Sequence, residues 1–436
     1  MKPSSQSRNG SAVEPTKPTL SEAFKAFGKI GVLSFGGPAA QISLMHKVLV
    51  DEKQWLTERQ YLNALSFCML LPGPEAMQLA TYAGWRLHGV VGGLMAGMLF
   101  VLPGAAVILA LAAIYAFYGE VPLVSALFLG VKAAVLIIVV EALLRVAKKA
   151  LNGPLYWAIA AAAFVGIFFL SLPYPLIVLL AALTGFFLAS DADNLPEEHV
   201  DTRVSLSKTL YAIATWLTVW WVPVIIFGQV FDVPVLNEIG LFFSKLAVVT
   251  FGGAYAVLAY MGQQVVEGYG WLDAGEMMDG LGLAETTPGP LILVTEFVGF
   301  LAAFRTGGFW LGVAGAILTL WVTFVPCFLW IFAGAPYIEW ICAQPRLRNA
   351  LSAITAAVVG VILNLSIWFA LHVVFETVTR REWGFLTLWQ PDLATADWRV
   401  IALAILCAVM LLRFHWGIVR VLTVSAAFGW VLVTFA

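Results

Sequence analysis

Charge is scarce in this chain: Asp, Glu, Lys and Arg make up 11% of the 436 residues, against 61% hydrophobic ones. An ordinary soluble domain carries about 25% charged residues, so one water-exposed fold could not hide this apolar surface, and lipid is the implied solvent. Cysteine is also scarce. Cys68, Cys327, Cys342 and Cys407 stand far apart, with no C-x-x-C or other metal-ligand spacing, which argues for small core residues and against redox or metal chemistry. The formal net charge of −2 provides no basic field, so no nucleic acid partner is implied. Residues 1–23 are polar and rich in Pro and Ser, lack the apolar stretch of a cleavable signal, and read as a cytoplasmic tail. A Walker loop, a dinucleotide fingerprint and a zinc His-Glu-x-x-His signature are all missing, so ATP-driven transport, metalloenzyme chemistry and a cofactor lose support. An intramembrane enzyme would need a nucleophile and base that the sequence does not display.

What is abundant is long apolar sequence. A helix needs about 20 apolar residues to cross a bilayer, and such windows recur at 90–117, 122–146, 154–172, 173–190, 209–231, 308–334, 349–375, 398–413 and 415–435. The expected fold is an all-α polytopic membrane protein. Several of the 17 Trp residues, such as Trp55, Trp271 and Trp383, sit near proposed span ends, as interfacial aromatic belts require.

The chain also contains itself twice. A shift of 216 residues places Phe35-Gly36-Gly37 on Phe251-Gly252-Gly253, Trp55-Leu56 on Trp271-Leu272 and Pro72-Gly73-Pro74 on Pro288-Gly289-Pro290 without a gap. Between Phe27 and Pro74 the shift gives 15 identities in 48 positions, Lys29 on Lys245 among them. Pro103 falls on Pro326 at a shift of 223, so the second copy carries extra residues near Arg305-Thr-Gly-Gly. The expected organisation is a tail at 1–23, a first repeat at 24–190, a linker with one extra transmembrane helix at 191–236, and a second repeat at 237–436.

Each copy opens with two apolar stretches that cannot be continuous helices, because Phe-Gly-Gly and Pro-Gly-Pro interrupt them. In a bilayer such breaks survive only where freed backbone faces protein or a watery cavity, and paired interruptions in two halves point to a transport site. Each copy therefore reads as two interrupted re-entrant hairpins plus four membrane spans. With the N-terminus cytoplasmic, the one unpaired helix turns the second copy upside down. This topology leaves only Arg305, Arg380, Arg381 and Arg399 outside, as the positive-inside rule demands.

Phe35-Gly-Gly-Pro38, Gln41, His46, Trp55-Leu56, Leu71-Pro-Gly-Pro74 and Leu102-Pro103-Gly104, with Phe-Gly-Gly, Trp-Leu and Thr287-Pro-Gly-Pro290 in the second half, resemble the chromate ion transporter family. The resemblance covers roughly 20–190 and 237–436, as in long two-domain members. It implies a secondary transporter in the bacterial plasma (inner) membrane. Such a protein exports chromate, driven by the membrane potential or a proton gradient, and confers chromate resistance. It also implies recognition of sulfate-like tetrahedral oxyanions. The partners expected are that anion and the lipid bilayer; a homodimer is compatible with this reading. An ion-coupled exporter of another substrate on the same architecture is the alternative. The copies differ at Pro38 against Ala254 and Glu75 against Leu291, so their half-sites should not be equivalent.

A dianion in a low-dielectric site needs charge or many donors. Half-helix N-termini at the breaks supply backbone N–H groups and a partial positive charge. The candidate binding residues are therefore Ser34, Phe35, Gly36, Gly37, Pro38, Gln41, Pro72, Gly73, Pro74 and Gln78 in the first copy. In the second they are Thr250, Phe251, Gly252, Gly253, Thr286, Thr287, Pro288, Gly289 and Pro290. Hydroxyls can instead bond back to their own helices. Lys29 and Lys245, matched across the repeats within apolar stretches, are candidate anion-binding cations, with snorkelling as the competing account. Glu75, Glu285, Glu296 and His46 are coupling candidates, although Glu75 could equally cap the half-helix that it opens. Lys132 and Glu141 share a span nine residues apart; they cannot pair, and each needs a partner elsewhere.

Overall fold

The computed structural model describes residues 18–119, 121–188, 206–251, 254–384 and 386–435. The tail up to residue 17, most of the linker before residue 206, and Gly252 and Gly253 lie outside the described residues. In the first half, α1 is Leu20–Leu33, α2 Gly37–His46, α3 Glu58–Leu70, α4 Glu75–Tyr118, α5 Pro122–Ala150, α6 Pro154–Phe168 and α7 Tyr174–Phe187. Next comes α8, Leu206–Ile225. In the second half, α9 is Pro234–Val249, α10 Ala254–Gln263, α11 Ala274–Thr286, α12 Val294–Gly334, α13 Ile338–Ala343, α14 Pro345–Val374, α15 Trp398–Ala408 and α16 Ile418–Phe435. Six helical segments among the described residues are long and apolar enough to cross a membrane. The chain is a polytopic helical membrane protein.

Local chemistry sets the helix boundaries, and it repeats across the copies. The Thr57 side chain accepts from Gln60 N–H to open α3, and that of Asp273 accepts from Glu276 N–H to open α11, each within a reciprocal capping box. Before each box lies a Trp-Leu motif held by a matched pair of bonds: Trp55 N–H donates to Leu49 O and Trp271 N–H to Val265 O, both at 2.9 Å. Trp55 and Trp271 are 7% and 8% exposed, so they are core anchors of the loop rather than belt residues. Trp383, at 68% exposure, keeps a surface position.

The two longest helices are not straight spans. α4 departs from helical geometry at His88-Gly89 and α12 at Gly307-Gly308, and each chain doubles back there. A Cβ on Gly84 would lie 2.2 Å from Gly92 O, and one on Gly315 would lie 2.4 Å from Gly299 O. Glycines let the two arms touch backbone to backbone, the close packing that small residues permit between membrane helices.

The halves interlock. α5 of the first half packs against α15 and α16 of the second, while α14 of the second packs against α6 and α7 of the first. Again the closest approaches are at small residues, with a Cβ on Gly130 meeting Ser425 O and one on Gly360 meeting Ala160 O. α4 and α12 form the centre, with α1 on α4 and α9 on α12. α8 leans on α12 and has no counterpart in the first half. The described residues also add one feature to the helical expectation, an antiparallel hairpin of β1 (Val378–Trp383) and β2 (Leu386–Pro391). Its charged run, Arg380-Arg381-Glu382, cannot enter lipid and forms an exposed strand after α14 ends.

Candidate functional site

The interruptions meet at the centre of the molecule. α1 stops at Leu33 and α2 restarts at Gly37; α3 stops at Leu70 and α4 restarts at Glu75; α9 stops at Val249 and α10 restarts at Ala254; α11 stops at Thr286. After α11, a single 3-10 turn at Leu291–Leu293 leads into α12. Two backbone bonds of equal length tie them crosswise: Gly289 N–H donates to Ser34 O and Gly73 N–H to Thr250 O, each at 2.8 Å. Under the 216-residue shift these are the same bond made twice, so each Pro-Gly-Pro turn is pinned to the end of the broken helix in the opposite half.

Gly73 and Gly289 occupy the left-handed region, at φ 117° and 93°, which a side chain disfavours. A Cβ on Gly73 would lie 2.8 Å from Gln78 Nε2 and 2.9 Å from Cys327 Sγ. Gly104, which follows Pro103, lets the other turn in, since a Cβ there would sit 2.0 Å from Pro288 O. The second repeat has Cys327 after Pro326 where the first has Gly104, so each Pro-containing helix receives the turn of the other half.

Two glutamines found only in the first copy complete the brace. Gln41, 1% exposed, donates through Nε2 to Gly289 O at 2.7 Å and to Ser34 O at 3.4 Å. Gln78, fully buried, donates to Pro72 O at 2.7 Å. The equivalent positions hold Val257 and Val294. With Pro38 against Ala254 and Glu75 against Leu291, the two sides of the crossing are not equivalent.

The sequence candidates divide accordingly. The hydroxyls of Ser34, Thr250, Thr286 and Thr287 donate to Ile30 O, Leu246 O, Leu283 O and Ala284 O of their own helices. The N–H groups of Gly73 and Gly289 are engaged in the brace. At the starts of α2, after Gly36, and of α4, after Pro74, the first-turn N–H groups have no intrahelical acceptor, and at α4 an acidic side chain already shares that end. The Glu75 carboxylate interacts with its own N–H, as a capping group does. Phe35 is exposed and Phe251 half-buried. Lys29 and Lys245 are exposed and stand apart from the crossing. Lys245 Nζ lies 5.7 Å from the Tyr260 ring centre.

Among the coupling candidates, Glu285 accepts from Tyr255 OH at 2.7 Å, next to the third and fourth breaks. Glu296 is 1% exposed, and its Oε2 has no partner among the described residues. His46 lies elsewhere, at the C-terminal end of α2, with Nε2 2.7 Å from Glu58 and Nδ1 3.4 Å from Asp51. The bond to Glu58 holds the imidazole above its ordinary pKa, against the opposing pull of partial burial. Sequence reasoning missed Asp279. It is 3% exposed, accepts from Tyr115 OH at 2.8 Å, and lies 3.5 Å from Lys132. This is the partner Lys132 needed, and the only sequence signal was that need, because α5 and α11 belong to different copies. Glu141 instead takes Arg145, one turn away at 2.6 Å.

Residues 21–186 and 237–430 match the chromate transporter family. The chain belongs to the chromate transporter family. Within it, the chain is 30% identical over 362 residues to a chromate transport protein of Cupriavidus metallidurans, covering 83% of this chain and 85% of that one. It is 31% identical to a chromate transport protein of Pseudomonas aeruginosa, with 80% and 81% covered. A probable chromate transport protein of Synechococcus elongatus is 30% identical, with 79% and 83% covered. No solved structure matches. The Pro-Gly-Pro motifs that carry part of the resemblance make the crossed brace, with Ser34 and Thr250, the residues just before each Phe-Gly-Gly.

Proposed function

We propose that this protein exports chromate, and with it sulfate-like tetrahedral dianions, from the cytoplasm across the plasma membrane, and so confers chromate resistance. The observation that carries the reading is the reciprocal pair of bonds from Gly289 to Ser34 and from Gly73 to Thr250. Those bonds hold four broken helices at one point. The anion sits on the open first-turn N–H groups of α2 and α4, where the half-helix dipoles favour negative charge and Gln41 and Gln78 supply polar surroundings. Glu285 and Glu296, joined by Asp279, are the coupling carboxylates.

In this reading the broken segments are re-entrant, the arms of α4 and α12 that double back return each hairpin to its own side, and the N-terminus is cytoplasmic. The repeats at 24–190 and 237–436 then run in opposite directions, with α8 as the unpaired crossing. Lys53 and Arg59 face the cytoplasm, and the equivalent loop 263–274 faces outward. Uptake of labelled chromate and sulfate into everted vesicles, with and without a proton gradient, tests the function. Chromate accumulation that competes with sulfate and collapses with the gradient supports it. Vesicles that hold abundant folded protein yet accumulate no chromate would overturn it.

A further inference from the structure

Outside the crossing, a cavity of about 370 Å³ lies between the two halves. It is walled by the turn before α7, by α9, α10 and the helical turn after it, by α14 and by the start of the β hairpin. We infer that this cavity is a second anion site, an outer vestibule that takes a tetrahedral oxyanion through Lys245, Tyr174, Asn364 and Arg380. The inference deepens the proposed function by adding the place where the exported ion pauses on the outer side. The outward direction rests on that reading, whereas the site itself does not.

Three observations carry it. Tyr174 lines the cavity, is 3% exposed, and its hydroxyl has no hydrogen-bond partner among the described residues. A buried hydroxyl without a partner is an open donor that a ligand can satisfy. Second, the cavity's one carboxylate is already matched. Glu267 accepts from Trp368 Nε1–H at 2.9 Å and from Arg380 at 3.0 Å, one bond to each oxygen. Arg380 is fixed further by Glu382 at 3.1 Å. The ammonium of Lys245, by contrast, has no ion pair of its own among the described residues and lies 5.7 Å from the Tyr260 ring centre. Third, Asn364, 7% exposed, brings an amide into the same wall from α14, opposite α9. One loose cation, one open hydroxyl and a buried amide suit a small dianion better than an apolar or cationic ligand.

The site has no twin around Lys29, although Tyr174 of the first half closes it. At the first-copy positions matching Tyr260, Gln263 and Gln264 stand Leu44, Lys47 and Val48, and β1 has no counterpart there. Lys245 thus acts as a vestibule cation rather than as the twin of Lys29.

The test uses the full chain without its native cysteines and a reporter, Gly268→Cys, at the exposed rim of the cavity. A Cβ at Gly268 meets only the end of the Gln264 side chain, at 3.2 Å. Thiol labelling from outside is timed in cells and in nanodiscs of neutral lipid, with chromate or redox-inert sulfate added and chloride at equal ionic strength as control. The expected result is saturable protection by chromate and sulfate but not chloride. Lys245→Gln should raise the half-protecting concentration about tenfold or more, the loss of one charge-assisted hydrogen bond. Lys245→Arg should retain most of the protection, and Tyr174→Phe should fall between. Folding of each variant is checked by size-exclusion profile. Unchanged protection in well-folded Lys245→Gln overturns the site, as does protection that chloride reproduces or that appears only with anionic lipid. Everted-vesicle uptake separates the two proposals. Chromate transport without protection leaves the crossing intact and removes the vestibule, while protection without transport removes the export reading alone.

Discussion

At Gly73 two constraints act on one residue: a φ of 117° and near contact of any added Cβ with Gln78 and Cys327. Gly73→Ala should therefore cost roughly 1–3 kcal/mol of backbone strain and loosen the bond to Thr250 O. The expected outcome is a clear loss of chromate uptake beside a lowered melting temperature. Ser34→Ala is the contrasting case. Its hydroxyl serves Ile30 O at 2.6 Å, so its removal should cost about 0.5–1.5 kcal/mol of stability and leave the apparent chromate affinity nearly unchanged. Equal damage from both substitutions in uptake assays would argue that the hydroxyl, not the backbone, meets the anion. His46 makes a pH-dependent prediction. Because its partners raise the folded-state pKa, its contribution to stability is complete below the unfolded value of about 6.5 and is lost as pH climbs through the raised one. Melting temperatures of the native protein and of His46→Gln should differ most near pH 6 and converge at alkaline pH.

For the helical elements, stability rests on close approach rather than on bulky packing. Where α5 crosses α16, a Cβ on Gly130 would lie 1.8 Å from Ser425 O, a backbone atom that no rotamer change can move. Gly130→Leu should cost at least the roughly 1–3 kcal/mol typical of overpacking by forcing these helices apart. The same substitution at Gly28, where an added Cβ meets nothing within 4 Å, should be tolerated. Thermal unfolding in detergent, followed by loss of the monodisperse peak, distinguishes them. The reverse ranking would mean that the interlocked faces are not what holds these helices.

The whole molecule is built so that neither half is complete. α5 lacks its cover without α15 and α16, α14 lacks α6 and α7, and each half of the central brace supplies the other's acceptor. Residues 1–190 and 206–436 expressed separately should each be degraded or aggregate, because long apolar faces stay unpaired. Expressed together, they should yield a protease-resistant complex that restores chromate uptake. A first half that is stable and monodisperse by itself would contradict the interlocked architecture.

The sequence by itself determined the membrane class, the duplication and the location of the four breaks. These follow from one-dimensional properties: apolar run length, a fixed register shift, and the tendency of Pro and Gly clusters to interrupt a helix. It also pointed to Gln41 and Gly73, which the structure places in the crossed brace, and to differences between the copies. What only the tertiary structure decided is which groups meet. No spacing rule links Gly73 to Thr250 or Lys132 to Asp279, or brings Lys245, Tyr174 and Arg380 to the wall of one cavity, because in each case the residues lie on different copies or distant segments. The buried state of Trp55 and Trp271 was equally invisible, since a Trp near a span end reads as interfacial until the loop that folds over it is known. The use of hydroxyls and glycine N–H groups was decided there too: a donor's availability depends on the nearest acceptor in space, and for Gly73 and Gly289 that acceptor is the carbonyl that closes the opposite half.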